Sequence, residues 1–141
     1  MEDTLTKGYI TEQKCILKLM EEGLIPSIPV MPTRYDLLVE INHKIIKIQI
    51  KTSRWKNESK DSFIFSCRSC HSISSGNKFM PYTKNDIDYF MTEKDNVFYL
   101  IPISDVGTSE KTLRMTLPKS GCKTGFSLAK DYIFEEVIKT I

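Results

Sequence analysis

Nowhere in this 141-residue sequence is there an apolar run of about 18 residues, the length at which a helix can cross a bilayer, so no transmembrane helix is expected. Cysteine is sparse: four thiols spread over the chain do not make the framework of a disulfide-stapled domain. The opening segment, MEDTLTKGYI, lacks a basic stretch followed by an apolar one. A secretory signal is therefore not expected, and the thiols are expected to be reduced in an intracellular protein. Structural zinc is poorly served. Cys67, Cys70 and His71 are close in sequence, but Cys15, Cys122 and His43 are scattered and supply no second pair for a four-ligand site. Alternation along a strand would also put Cys67 and Cys70 on opposite faces. Repeats and low-complexity tracts are absent, and a net charge of +2 does not by itself identify a polyanionic partner.

What is present fits a globular chain of one-domain size, with 40% apolar and 27% charged residues. The charge is unevenly placed. Residues 42–84 hold nine Lys/Arg against two acids, a local +7, whereas residues 1–41 sum to −3 and residues 85–141 to −2. A basic middle between mildly acidic ends points to a localised polyanion-binding face, although the same lysines also fit a solvated loop.

Taken in order, residues 4–22 are expected to form a helix, with Ile10, Ile16, Leu17, Leu19, Met20 and Leu24 at helical spacing and Gly23 as its stop. Glu12 falls at the edge of that apolar stripe. Pro26, Pro29 and Pro32 make residues 25–33 an extended connector. Two strands, 35–41 and 44–52, follow around an Asn42-His43 turn. In the second, Ile46, Ile48 and Ile50 alternate with Lys47, Gln49 and Lys51, placing the isoleucines inward and the polar residues together on the other face. An antiparallel pair turning at 42–43 brings Asp36 opposite the neighbourhood of residue 49. Beyond a polar loop at 56–60, a strand is expected at 62–67, then a long loop or two-stranded flap at 68–81. A short helix at 85–91, capped by Thr83, a buried strand at 97–103, an edge strand at 112–117 and a C-terminal helix at 127–141 complete the prediction. The C-terminal stripe of Ile133, Val137 and Ile141 suits either core burial or a subunit interface. Trp55 suits core packing better than contact with a nucleotide.

The central stretch PTRYDLLVEINHKIIKIQIKTSRW carries the chemistry. Hydrolysing a phosphodiester calls for a cation on the scissile phosphate, an activated water and positive charge near the developing anion. Hard cations such as Mg²⁺ take oxygen ligands. Asp36 offers a carboxylate, Gln49 an amide oxygen, Ile50 a main-chain carbonyl, and Glu12 a second carboxylate from the helix. Lys51 can orient the water, help deprotonate it, or stabilise charge in the transition state.

The sequence Pro32-Thr-Arg-Tyr-Asp36 followed by Ile48-Gln49-Ile50-Lys51 resembles the PD-(D/E)xK nuclease superfamily, in a variant whose second acid is glutamine. The preceding helix and the downstream Tyr82-x-x-x-Asp86-Ile-Asp88-Tyr89-Phe90 segment extend the likeness over residues 5–105, which is most similar to group I intron-encoded homing endonucleases of this type. The resemblance implies an α/β fold with a mixed central sheet flanked by helices. It also implies a restriction-endonuclease-like core, a β-rich DNA-binding insertion, and a single nuclease domain over residues 1–141, whose C-terminal strand and helix occupy 110–141. It implies Asp36, Gln49, Ile50 and Glu12 around Mg²⁺ or Mn²⁺, and Lys51 as catalytic lysine. The implied substrate is double-stranded DNA, with Arg54, Lys56 and Lys60 after the catalytic strand and Arg68, Ser69, Ser72 and Lys78 in the flap as candidate contacts, some to hold phosphates and others to read base edges. Cutting two strands implies a homo-oligomer. The glutamine is a weaker ligand than the acid it replaces, so a non-catalytic DNA-binding module stands as a rival reading, beside a Holliday-junction resolvase of the same superfamily.

Overall fold

The computed structural model describes residues 3–141. Helix α1, Thr4–Glu21, starts where the Asp3 carboxylate accepts a hydrogen bond from the Thr6 amide at 2.7 Å. It ends at Gly23, whose φ of 80° lets the amides of Gly23 and Leu24 close onto the carbonyls of Met20 and Leu19. Its buried stripe is narrower than the sequence spacing predicts. Cys15 and Leu19 are fully buried and Ile16 partly so, whereas Leu17 and Met20 are each 53% exposed.

Strands β1 (Pro26–Ser27), β2 (Leu37–Ile41), β3 (Lys44–Ile50), β8 (Tyr89–Lys94) and β9 (Val97–Pro102) form a five-stranded sheet in that order. All neighbours are antiparallel except β3 and β8, which run parallel. The β2–β3 turn uses Asn42 and His43 at φ 51° and 66°, the left-handed pair that matches the twist of a two-residue hairpin. One face of this sheet carries Val39, Ile46, Ile48, Ile50, Met91 and Leu100 against α1 and the C-terminal segment. The other carries Phe90, Tyr99 and Ile101 against a second, three-stranded sheet of β10 (Glu110–Arg114), β5 (Ser62–Ser66) and β4 (Arg54–Trp55), through Phe63, Phe65 and Leu113. Period-two alternation thus feeds two cores, which is why the run Val97–Pro102 is apolar almost throughout. Trp55 packs edge-on against Phe63 with ring centroids 6.0 Å apart. Strands β6 (Arg68–Ile73) and β7 (Gly76–Pro81) form a separate two-stranded ribbon, β7 being exposed along its whole length.

The sheet is mixed as expected, but the molecule is richer in strand than a helix-flanked sheet. The helix expected at 85–91 is one turn, in which Thr83 and Asp86 bond each other, followed by β8. The aromatic and branched residues from Tyr89 onward gain more from pairing with β3 than from continuing a helix. The helix expected at 127–141 is broken. A 3-10 turn at Ala129–Tyr132 leads to α2, Phe134–Val137, and a further 3-10 turn, because Ile133 is extended (ψ 129°) and bridges to Tyr99 of β9. Phe134 and Val137 are buried, with Ile133, Ile138 and Ile141 packed on the two cores, so this stripe closes the core. The edge strand expected at 112–117 lies at Glu110–Arg114. Cys67 is buried beyond β5 and Cys70 exposed on β6, and burial pushes the Cys67 thiol up to about 11. No helix among the described residues is long and apolar enough to cross a membrane.

Candidate active site

Glu12, Asp36, Gln49, Ile50 and Lys51 all line one open cleft of about 630 Å³, walled on the helix side by the first turns of α1 and at the far end by Thr52. The local backbone explains the convergence. Asp36 precedes β2, and the β2–β3 register, in which Leu37 faces Ile48, extends to place Asp36 opposite Gln49. The Asp36 amide donates to the Ile48 carbonyl at 2.9 Å, and its Oδ2 accepts from the Ile50 amide at 2.8 Å. The carboxylate is thus fastened to the strand segment that carries Gln49 and Lys51. The Lys51 amide in turn donates to the Met91 carbonyl, so this segment is held from both sides at the carboxyl end of β3. Glu12 is brought in by α1, where the hydroxyls of Thr11 and Thr52 meet at 3.1 Å and tie the helix to the exit of β3.

The electrostatics of the cleft are one-sided. Burial raises the Asp36 carboxyl above its ordinary range, opposed by the Ile50 amide and the Lys51 charge. Burial also raises Glu12, reinforced by the negative charge of Asp36. Lys51 is shifted the other way, lowered by burial despite Asp36 and Cys67. Burial is the first cause of all three shifts, so the cleft penalises the charged form of each group. The donor set is oxygen only: two carboxylates, an amide and a main-chain carbonyl. No group of three or more His, Cys, Asp or Glu residues suited to a metal occurs among the described residues. A hard divalent ion that keeps several waters fits such a sparse oxygen set better than zinc.

Lys51 also reaches toward the ribbon. Its Nζ donates to the Arg68 carbonyl at 3.2 Å and sits 5.0 Å from the centre of the Tyr82 ring. The same ring carries the Arg34 guanidinium at 4.1 Å. Arg34 also donates to Ser69 Oγ and to the carbonyls of Met80 and Pro81, at 3.1, 3.2 and 2.8 Å, and lies 3.8 Å from Asp86. Sequence reasoning missed Arg34. Its only signal was its position two residues before Asp36, since its partners lie 35 to 52 residues away. Tyr82 and Asp86 belong to the downstream segment that the sequence singled out, and Asp88 of that segment accepts from the Lys47 amide at 2.9 Å.

The seven candidate DNA contacts fall into two groups. Arg68, Ser69, Ser72 and Lys78 are on the ribbon, where Arg68 stacks on Phe79 at 3.8 Å, Ser72 faces Asn77, and Lys78 is opposite His71. Ser69 is engaged by Arg34. Arg54, Lys56 and Lys60 lie instead at β4 and the turn after it. Arg54 pairs with Glu110 at 3.5 Å, and the Lys60 ammonium is 6.0 Å from the Trp55 ring.

The chain belongs to the PD-(D/E)XK endonuclease family, whose model matches it over residues 2–135. Among solved structures it is similar to a bacterial homing endonuclease, I-Ssp6803I, at 19% identity and a TM-score of 0.75, covering 99% of this chain and 95% of that one. At that identity the likeness is one of fold. No curated protein sequence matches it.

Proposed function

We propose that the protein is a site-specific double-strand DNA endonuclease of the homing type, acting on intracellular DNA, with Mg²⁺ or Mn²⁺ at the cleft and the whole 141-residue chain serving as one nuclease domain on a restriction-endonuclease-like core. The observation that carries this reading is the meeting of Glu12, Asp36, Gln49 and Lys51, from three separate parts of the chain, in one cleft. Asp36 and Glu12 would hold the ion with the Gln49 amide oxygen and the Ile50 carbonyl. When bound, the ion supplies charge neutralisation at the scissile phosphate and acidifies a water. Asp36 is pre-set for its part by the Ile50 amide, which fixes one carboxylate oxygen. Lys51, lowered by burial, is suited to hold or release a proton beside the attacking water, or to face the charge that develops on the phosphate. The exposed ribbon, with Arg68 and Lys78, has the form that enters a major groove. Cutting both strands takes two such sites, so the acting species is a dimer or tetramer.

A supercoiled plasmid library, incubated with Mg²⁺ and either wild type or Lys51→Ala, tests the reading. Discrete linear products from one sequence, lost by a factor of about 100 or more in the variant, are expected. Cutting confined to cruciform-bearing plasmids would transfer the site to a junction resolvase. Binding in a gel shift without cleavage by wild type would leave a DNA-binding module, and cleavage unaffected by Lys51→Ala would remove the catalytic role from this cleft.

A further inference from the structure

A second cleft, of about 640 Å³, opens on the three-stranded sheet, lined by Lys56, Ser62, Lys111, Thr112, Arg114 and the segment from Gly125 to Ser127. Register puts two of its cations side by side. Arg114 of β10 pairs with Ser62 of β5, and on the other side of Ser62 the Lys56 amide donates to the Ser62 carbonyl at 2.9 Å. Strands about 4.8 Å apart thus place Lys56 and Arg114 about 10 Å from each other across one serine. Lys111 is aimed by its own bonds, 2.8 Å each to the Asp105 carbonyl and Ser127 Oγ. None of the three forms a salt bridge among the described residues, and the cleft lining contains no carboxylate. Asp61, next to Ser62, is the acid at the rim; hydrogen bonds from Asn57 and Ser59 chiefly hold it low, with Arg114 contributing.

The sequence agrees. Residues 111–130 contain five Lys/Arg (111, 114, 119, 123 and 130) and no acid, a stretch hidden within the mildly acidic total for residues 85–141. Lys56 and Arg114 flank Ser62 on one sheet face, where like charges repel, so this pair without a salt bridge costs stability unless an anion joins it. Lys56 is five residues from Lys51, which caps their separation at roughly 18 Å. Over that distance a duplex passes about ten phosphates, counting both strands.

We propose that this cleft holds the sugar–phosphate backbone of the duplex flanking the cut, as a sequence-independent second contact beside the ribbon. The inference rests on the endonuclease reading. A cleft of this kind reads no bases, so its loss weakens all sequences alike and lowers the salt dependence of binding. The test is fluorescence anisotropy of a labelled duplex in Ca²⁺, from 50 to 300 mM salt, with wild type, Lys56→Ala/Arg114→Ala and, as control, Lys139→Ala. Removing two phosphate contacts is expected to reduce the log–log salt slope by about 1.8 and affinity at 150 mM salt by roughly 30-fold, equally for specific and random duplexes. The control should keep the wild-type slope. Arg114 also supports its own strand through Thr116, so Lys56→Gln alone, at a side chain with no hydrogen bond among the described residues, guards against misfolding. It should lower the slope by about 0.9. A wild-type slope in both variants, or a loss confined to the specific duplex, overturns the inference while the endonuclease reading stands. Wild type that binds no DNA at any salt overturns both.

Discussion

Asp36 illustrates how the cleft trades stability for readiness to bind a cation. Its carboxyl is raised by burial, so the folded state holds that proton more tightly than the unfolded chain does. The stabilising contribution is therefore present below the unfolded-state value and is lost as pH rises through the folded-state value. Above that value the folded protein carries the burial penalty of the charged form. Asp36→Asn keeps an oxygen for the Ile50 amide and removes the buried charge. Melted at pH 7 without divalent ions, the variant is expected to be more stable by on the order of 1 kcal/mol, with the advantage shrinking as pH falls toward 4. Cleavage should be abolished. A variant less stable at pH 7 than at pH 4, relative to wild type, would contradict the buried-charge account.

At the scale of elements, Arg34 ties both strands of the ribbon to the core, beside the single hydrogen bond from Lys51 to Arg68. Arg34 reaches the start of β6 through Ser69 and the end of β7 through Met80 and Pro81, while its guanidinium covers the Tyr82 ring that also faces Lys51. Arg34→Ala should cost about 1.5–3 kcal/mol, the range for hydrogen bonds to a charged group. It should also speed amide exchange along Arg68–Ile73 and Gly76–Pro81 while leaving α1 and β3 protected, read by hydrogen exchange with mass analysis. Uniform acceleration through the whole chain would show that Arg34 supports the fold generally rather than the ribbon. The elements also show where sequence reading holds and fails. Local chemistry was legible: Asn42-His43 took the left-handed turn, Gly23 ended α1, and alternation around Ile48 put Gln49 and Lys51 on a common face with Asp36 opposite. Segments 85–91 and 127–141 were misread because their fate is decided by partners far away. Tyr89 pairs with Ile48 and Ile133 with Tyr99, and neither pairing leaves a trace in local periodicity. Arg34 escaped notice for the same reason.

For the molecule as a whole, the cleft lies between α1 and the five-stranded sheet, so occupancy of that cleft is coupled to the melting of the chain. The layering itself was only half legible: an apolar strand reveals that both its faces are covered, but not that one cover is a second sheet. The placing of Glu12 beside Asp36 follows from that layering, since α1 crosses the sheet with the Thr11–Thr52 bond at its contact point. An ion held only by the folded state stabilises it by RT ln(1 + [L]/Kd), about 1.4 kcal/mol at a tenfold excess over Kd. Mg²⁺ should therefore raise the wild-type melting temperature, and Asp36→Asn should remove the rise. Gln49→Glu makes the sharper case. A third carboxylate among partly buried groups adds repulsion from Asp36 and Glu12, which the single Lys51 charge already acting on Asp36 offsets only in part. Without divalent ions this variant should melt below wild type. With Mg²⁺ the added charge becomes a stronger ligand, so the metal-induced rise should exceed that of wild type and be half-complete at lower Mg²⁺. Differential scanning calorimetry across a Mg²⁺ series reads both effects at once. A Gln49→Glu protein whose melting responds to Mg²⁺ no more than wild type would place the ion away from Gln49, and with it the geometry proposed for cleavage.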